Sequence, residues 1–170
     1  LGTENQNLPS FITIAPKQTY AGTQVYANDF LPGAHQGTFL RPSKDPFKNI
    51  IPKVPRSRQE LELEALQKLN HRHLLARSRD TQAEARIKSF ETAFGMQMEV
   101  PELFDFSKET DSTHQLYGLK RGSTKGFAWQ CLAARRLIER GVRFVELIDT
   151  GSSGNLRIWS QAPYLLWKVS

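Results

Sequence analysis

Residues 127–149 read FAWQCLAARRLIERGVRFVELID. Up to Arg140 the apolar residues Phe127, Cys131, Ala134, Leu137 and Ile138 recur three and four apart, the spacing that gathers side chains on one face of a helix. Gly141 follows. Glycine accepts the left-handed backbone that ends a helix without steric cost. From Arg143 to Asp149 the run Arg-Phe-Val-Glu-Leu-Ile-Asp is apolar and rich in strand formers. A helix that returns through a minimal glycine turn into a strand is the αβ half of a parallel α/β unit. This stretch therefore predicts an α/β fold.

Towards the amino end, Ser10 to Ala15 (Ser-Phe-Ile-Thr-Ile-Ala) alternates between prolines and predicts a short strand. The next stretch, Pro16 to Pro55, carries six prolines and scattered aromatics. It is too long and too aromatic for a flexible linker. It reads as a loop packed over a larger body and lining a site. Ser57 to Glu60 has the form of a capping box. Leu61, Ala65, Leu66 and Leu69 then form a helical stripe that runs to about Ala76. Asp80 is a plausible cap for a second helix, with Ala83, Ile87, Phe90 and Phe94 on one face. Gly95 weakens its end and Val100-Pro101 breaks it. The two helices predict an antiparallel hairpin. Ser107 to Tyr117 is a further short helix, stopped by Gly118. The middle of the chain is thus rich in helix, with parallel strands expected near both ends. No internal repeats are seen.

Composition excludes several classes of function. No apolar run approaches the roughly 18–20 residues that a membrane span needs. The net charge is +6. The positive charges are interleaved with glutamates, and the densest stretch, Arg41 to Arg58, offers neither a recognition helix nor an aromatic stacking platform. Nucleic acid is therefore not expected as a partner. The single Cys131 cannot form an internal disulfide and is expected to be a packed core thiol.

Few motifs carry chemistry. His71 and His73 lie two apart on a helix, about 200° from each other, so they do not share an ion. No metal ligand is assigned. Asp149 ends the last strand, where a catalytic carboxylate of an α/β enzyme stands, and is the one catalytic candidate. A strand-end aspartate also caps turns for structural reasons alone. The alternation leaves the facing of Glu146 open. Gly151-Ser152-Ser153-Gly154 lacks the lysine of a phosphate loop and the glycine spacing of a nucleophile elbow, and reads as a turn. Ser152 and Ser153 remain candidates for contact with a substrate at the strand end. Phe30 to Thr38 is compact and glycine-bearing, and such glycines allow a close backbone approach to a ligand. His35, Gln36 and Gly37 are its candidates.

Several stretches match a known family. Leu1 to Pro9, Phe30 to Thr38, Ala85-Arg86-Ile87 with Phe90-Glu91 and Met96-Gln97, Pro101-Glu102, and Gln130 to Val145 resemble segments of the domain of unknown function 1501 family. That family is similar to sulfatases and alkaline phosphatases and is often found among exported bacterial proteins. The resemblance implies an α/β/α sandwich of the alkaline-phosphatase kind and a metal-dependent hydrolase acting on a small anionic ester. It implies a divalent metal in the full-length protein, with ligands outside this chain, so no residue is carried over as a ligand. The alternative is a non-catalytic binding or surface protein that keeps the fold.

The chain opens on Leu1 with neither an initiator methionine nor a leader pattern. It is expected to be an internal piece, with residues 1–155 forming part of a sulfatase-like domain. After Asn155 the family pattern of Trp-Asp with a nearby histidine is replaced by Leu156-Arg157-Ile158-Trp159. Residues 156–170 are expected to be an aberrant, frame-shifted tail, and the piece is expected to be inactive alone.

Overall fold

The computed structural model describes residues 4–17, 22–27, 33–76, 80–150 and 156–158. The architecture is mixed α/β. Three parallel strands and one antiparallel strand form a sheet in the order β2-β1-β3-β4. These strands are β1 (Phe11–Ile14), β2 (Thr38–Leu40), β3 (Phe144–Thr150) and β4 (Leu156–Ile158). Four α-helices occupy the middle: α1 (Arg56–Ala76), α2 (Thr81–Leu103), α3 (Asp111–Tyr117) and α4 (Phe127–Glu139).

The unit from α4 to β3 forms for the reason its sequence suggests. Gly141 adopts φ +91°. Its amide donates to the Ile138 carbonyl at 2.9 Å, and the Val142 amide donates to the Leu137 carbonyl at 3.0 Å. This pair of bonds is a Schellman motif, and Val142 and Leu137 supply its buried apolar contact. The chain ends α3 in the same way at Gly118, with φ +62°. β3 then enters beside β1 in parallel register, with Ile12 opposite Val145 and Ile14 opposite Leu147.

The face bearing Ile12, Ile14, Val145 and Leu147 packs against α4 and the end of α2. The buried face of α4 is Trp129, Gln130, Leu132, Ala133, Ala134 and Leu137. It is turned away from the stripe that the periodicity picks out: Cys131 is half-buried and Ile138 exposed. Trp129 explains the turn, because its indole stacks on Phe104 (centroids 5.6 Å apart) and leans on Phe106, drawing that side of α4 into the core. Arg136 holds the same corner. It donates to Glu109 Oε1 at 2.6 Å and to the Glu102 carbonyl at 2.8 Å.

Several expectations need correction. The stretch from Pro16 to Pro55 is not one loop: it contains two 3₁₀ turns (Gly22–Tyr26 and Gly33–His35) and the edge strand β2. α1 begins at Arg56, so Ser57 lies inside it. The Pro55 carbonyl receives the first amides, from Arg58 at 3.0 Å and Gln59 at 3.2 Å. Glu60 pairs with Arg56 at 2.9 Å instead of reaching back to a cap. α2 starts as expected, with Asp80 Oδ1 accepting from the Ala83 amide at 3.0 Å. It then runs through both Gly95 and Pro101. Proline is tolerated there because the helix ends at Leu103, and the Phe104 amide still reaches the Val100 carbonyl at 3.2 Å. Gly95 serves packing, since a Cβ would stand 2.8 Å from the Asn7 Cα. The helix expected from Ser107 is split into a 3₁₀ turn (Phe106–Lys108) and α3, with Thr110 capping the latter.

The hairpin of α1 and α2 is antiparallel. The Arg56 guanidinium lies 4.5 Å from the Phe94 ring centroid at one end, and Gln67 Nε2 donates to Glu91 Oε1 at 3.1 Å further along. Among the described residues no helix is long and apolar enough to cross a membrane. β4 is an element the sequence reading did not contain. It pairs antiparallel with the end of β3, Asp149 opposite Arg157.

Candidate functional site

The parallel strands give the sheet two distinct edges. Ligands of open α/β sheets bind at the carboxyl edge. Asp149 stands there. It lies two residues past Leu147, the last β3 residue to pair with β1, and its side chain is half-buried. Residues alternate along a strand, so Asp149 shares the α4-covered face with Val145 and Leu147. Cys131 of α4 is its electrostatic neighbour. Burial pushes the Cys131 thiol above its ordinary range, and the Asp149 carboxylate adds to the rise. The thiol is therefore neutral at physiological pH, in keeping with a packing role. α4 runs back from this edge to the turn that starts β3, so its first turn, after Gly126, lies at the same end as Asp149. Ser152 and Ser153 lie outside the described residues.

Glu146 is settled by its neighbour. Thr13 Oγ1 donates to Glu146 Oε2 at 3.1 Å, in the middle of the sheet. Thr13 is fully buried, and the pair occupies the face opposite Ile12 and Ile14. Glu146 is thereby tied to a buried hydroxyl within the strand pairing.

His35, Gln36 and Gly37 come together, but at the other edge. They immediately precede β2, which runs parallel to β1, so the turn lies where the strands begin. From Gly37 to the level of Asp149 is five strand residues, about 17 Å. The expectation that this turn covers the strand end of Asp149 is thus corrected: the crossover from β1 to β2 carries the chain back to the amino edge. The turn is tightly built. The Gly37 amide and Gln36 Nε2 both donate to the Tyr26 carbonyl, at 2.9 Å and 2.7 Å. A Cβ on Gly37 would stand 2.7 Å from the Phe11 ring, so this glycine answers to packing.

His35, Gln36 and Gly37 line an open cleft of about 660 Å³, whose far wall is α2. Lys88, Ser89 and Thr92 supply that wall's polar groups. The sequence analysis missed these three. Their spacing of one, three and four is the available signal, a polar stripe on one helix face.

His71 and His73 are exposed on α1 and do not converge with another ligand. His114 is buried, with its ring nitrogens 3.2 Å from the Leu119 and Phe106 carbonyl oxygens, a structural placement. Among the described residues no group of three or more His, Cys, Asp or Glu side chains could hold a metal ion.

Residues 1–161 match the model of a family described as "Protein of unknown function (DUF1501)". The match extends past Asn155 and takes in β4. No curated protein and no solved structure matches the chain significantly.

Proposed function

The chain belongs to the DUF1501 family, and from that premise we propose that it is part of a sulfatase-like or phosphatase-like hydrolase acting on a small anionic ester. In this reading the sheet belongs to an α/β/α sandwich, and the full-length protein is exported. The observation that carries the reading is the placement of Asp149: a half-buried carboxylate at the carboxyl edge of a parallel strand, beside the first turn of α4. A carboxylate at this position can accept a proton from an attacking group or contribute one ligand to a cation.

The divalent metal such hydrolases use does not find a complete ligand set among the described residues. Asp149 and a neutral Cys131 do not make a site between them, and no chemical step follows through an ion here. The contribution of this chain is the scaffold, Asp149, and the fixed pairing of Thr13 with Glu146 that rigidifies the strand leading to it.

The test is release of nitrophenol from nitrophenyl sulfate and nitrophenyl phosphate by the full-length protein, with magnesium, calcium, manganese or zinc supplied. Turnover of either ester above buffer supports the proposal. Absence of turnover with every metal refutes it and favours the second reading, a non-catalytic binding protein. The cleft at the amino edge, lined by His35, Gln36, Lys88 and Thr92, is the feature that favours that alternative.

A further inference from the structure

Helix α1 turns its apolar stripe outward. Leu61 is 69% exposed, Leu66 52% and Leu69 60%. The face directed at α2 is instead Gln59, Leu63, Asn70 and Leu74, all half-buried. Leu61, Ala65 and Leu69 recur every four residues and fall within about 80° of arc, so they form one crest. Leu66 lies beside the crest and shares a groove with Phe90 of α2, which is 65% exposed. Three leucines and a phenylalanine thus make a continuous apolar patch, of the kind that marks an interaction surface.

The sequence of α1 says what fits this patch. Ala65 is the midpoint of the crest, with Leu61 four residues before it and Leu69 four after. Charges divide about the same point. Glu60, Glu62 and Glu64 precede Ala65, and Lys68 and Arg72 follow it. A second α1 laid antiparallel, with a two-fold axis at Ala65, brings Leu61 of each copy onto Leu69 of the other. The small Ala65 at the axis permits a close approach of the helices. The acidic half of each helix then faces the basic half of its mate. Glu64 and Lys68, paired at 2.8 Å within one helix and well exposed, border the crest and can exchange partners across the axis. A parallel pair would set acidic half against acidic half. We propose that α1 is a self-association surface, and that two copies of this chain join through Leu61, Ala65 and Leu69 in a symmetric antiparallel pair. Isologous pairing of this kind is the commonest oligomeric arrangement.

Sedimentation equilibrium of the chain over a range of concentrations tests the pairing. The expected result is a reversible dimer that Leu69→Glu weakens at least about tenfold in Kd, with unchanged circular dichroism because the position is exposed. Cysteine cross-linking in a Cys131→Ser background tests the geometry. Ala65→Cys should cross-link to itself. Leu61→Cys should not, because the two copies of position 61 stand about 12 Å apart along the axis, beyond disulfide reach. An equal mixture of Leu61→Cys and Leu69→Cys should cross-link. A monomer at every concentration overturns the proposal, as it would if this face packed on another part of the chain or on a different protein. A dimer indifferent to Leu69→Glu, or self-linking by Leu61→Cys, overturns it equally.

Discussion

Replacing Arg136 by alanine probes the joint that fixes α4 against the rest of the fold. Its guanidinium makes a 2.6 Å bond to the Glu109 carboxylate and a 2.8 Å bond to the Glu102 carbonyl, and lies 5.6 Å from the Phe106 ring centroid. The two charged side chains are only 14% and 12% exposed. Removing one member of a buried ion pair costs about 3–5 kcal/mol, chiefly because the other charge is left desolvated. Two features favour the lower end. Both groups keep some solvent contact, and Arg135 stands 3.9 Å from Glu109, ready to take over part of the pairing. The expected loss is therefore about 3 kcal/mol, read as a lower urea midpoint at unchanged m-value by far-ultraviolet circular dichroism. Arg136→Lys should recover part of that loss, since an ammonium can serve Glu109 but cannot span both partners as the planar fork does. A loss below about 1 kcal/mol is the scale of a surface ion pair, and would refute the claim that this contact organises the corner.

Two further outcomes follow from the same packing. Gly95→Ala should destabilise despite alanine's better helix propensity. The propensity gain is about 1 kcal/mol, while the new Cβ must displace Asn7, whose Cα would lie 2.8 Å away. Overpacking of this kind costs about 1–3 kcal/mol, so a raised melting temperature would contradict the contact. Cys131 should alkylate with a pH midpoint above 9.0, the ordinary value for the thiol. The folded form holds the thiol proton more tightly than the unfolded chain, so this stabilisation is present below the ordinary range and is lost as pH rises through the raised value. Asp149→Asn should lower the midpoint only modestly, because burial is the larger cause.

Local features were legible in the sequence. Asp80 caps α2, and Gly118 and Gly141 stop α3 and α4, because each acts on a backbone group within a few residues. Which face of a helix is buried was not legible. α1 carries both the stripe of Leu61, Ala65 and Leu69 and the half-buried Leu63 and Leu74, and periodicity cannot rank two apolar faces. In α4 the pull of Trp129 towards Phe104 outweighs the stripe containing Cys131 and Ile138. β2 was missed because three residues give no alternation to count. That miss also hid where His35 to Gly37 belong, since only a parallel β2 carries the preceding turn to the amino edge. Asp149 was readable as a strand end, whereas its proximity to Cys131 depends on how α4 sits against the sheet.

The most direct test of the account is the turnover number of full-length Asp149→Asn on whichever nitrophenyl ester the parent protein hydrolyses. The account predicts a drop of roughly 100-fold or more, with the melting temperature held near that of the parent. An Asp149→Asn protein that turns over at the parent rate would contradict a catalytic carboxylate at the carboxyl edge of β3.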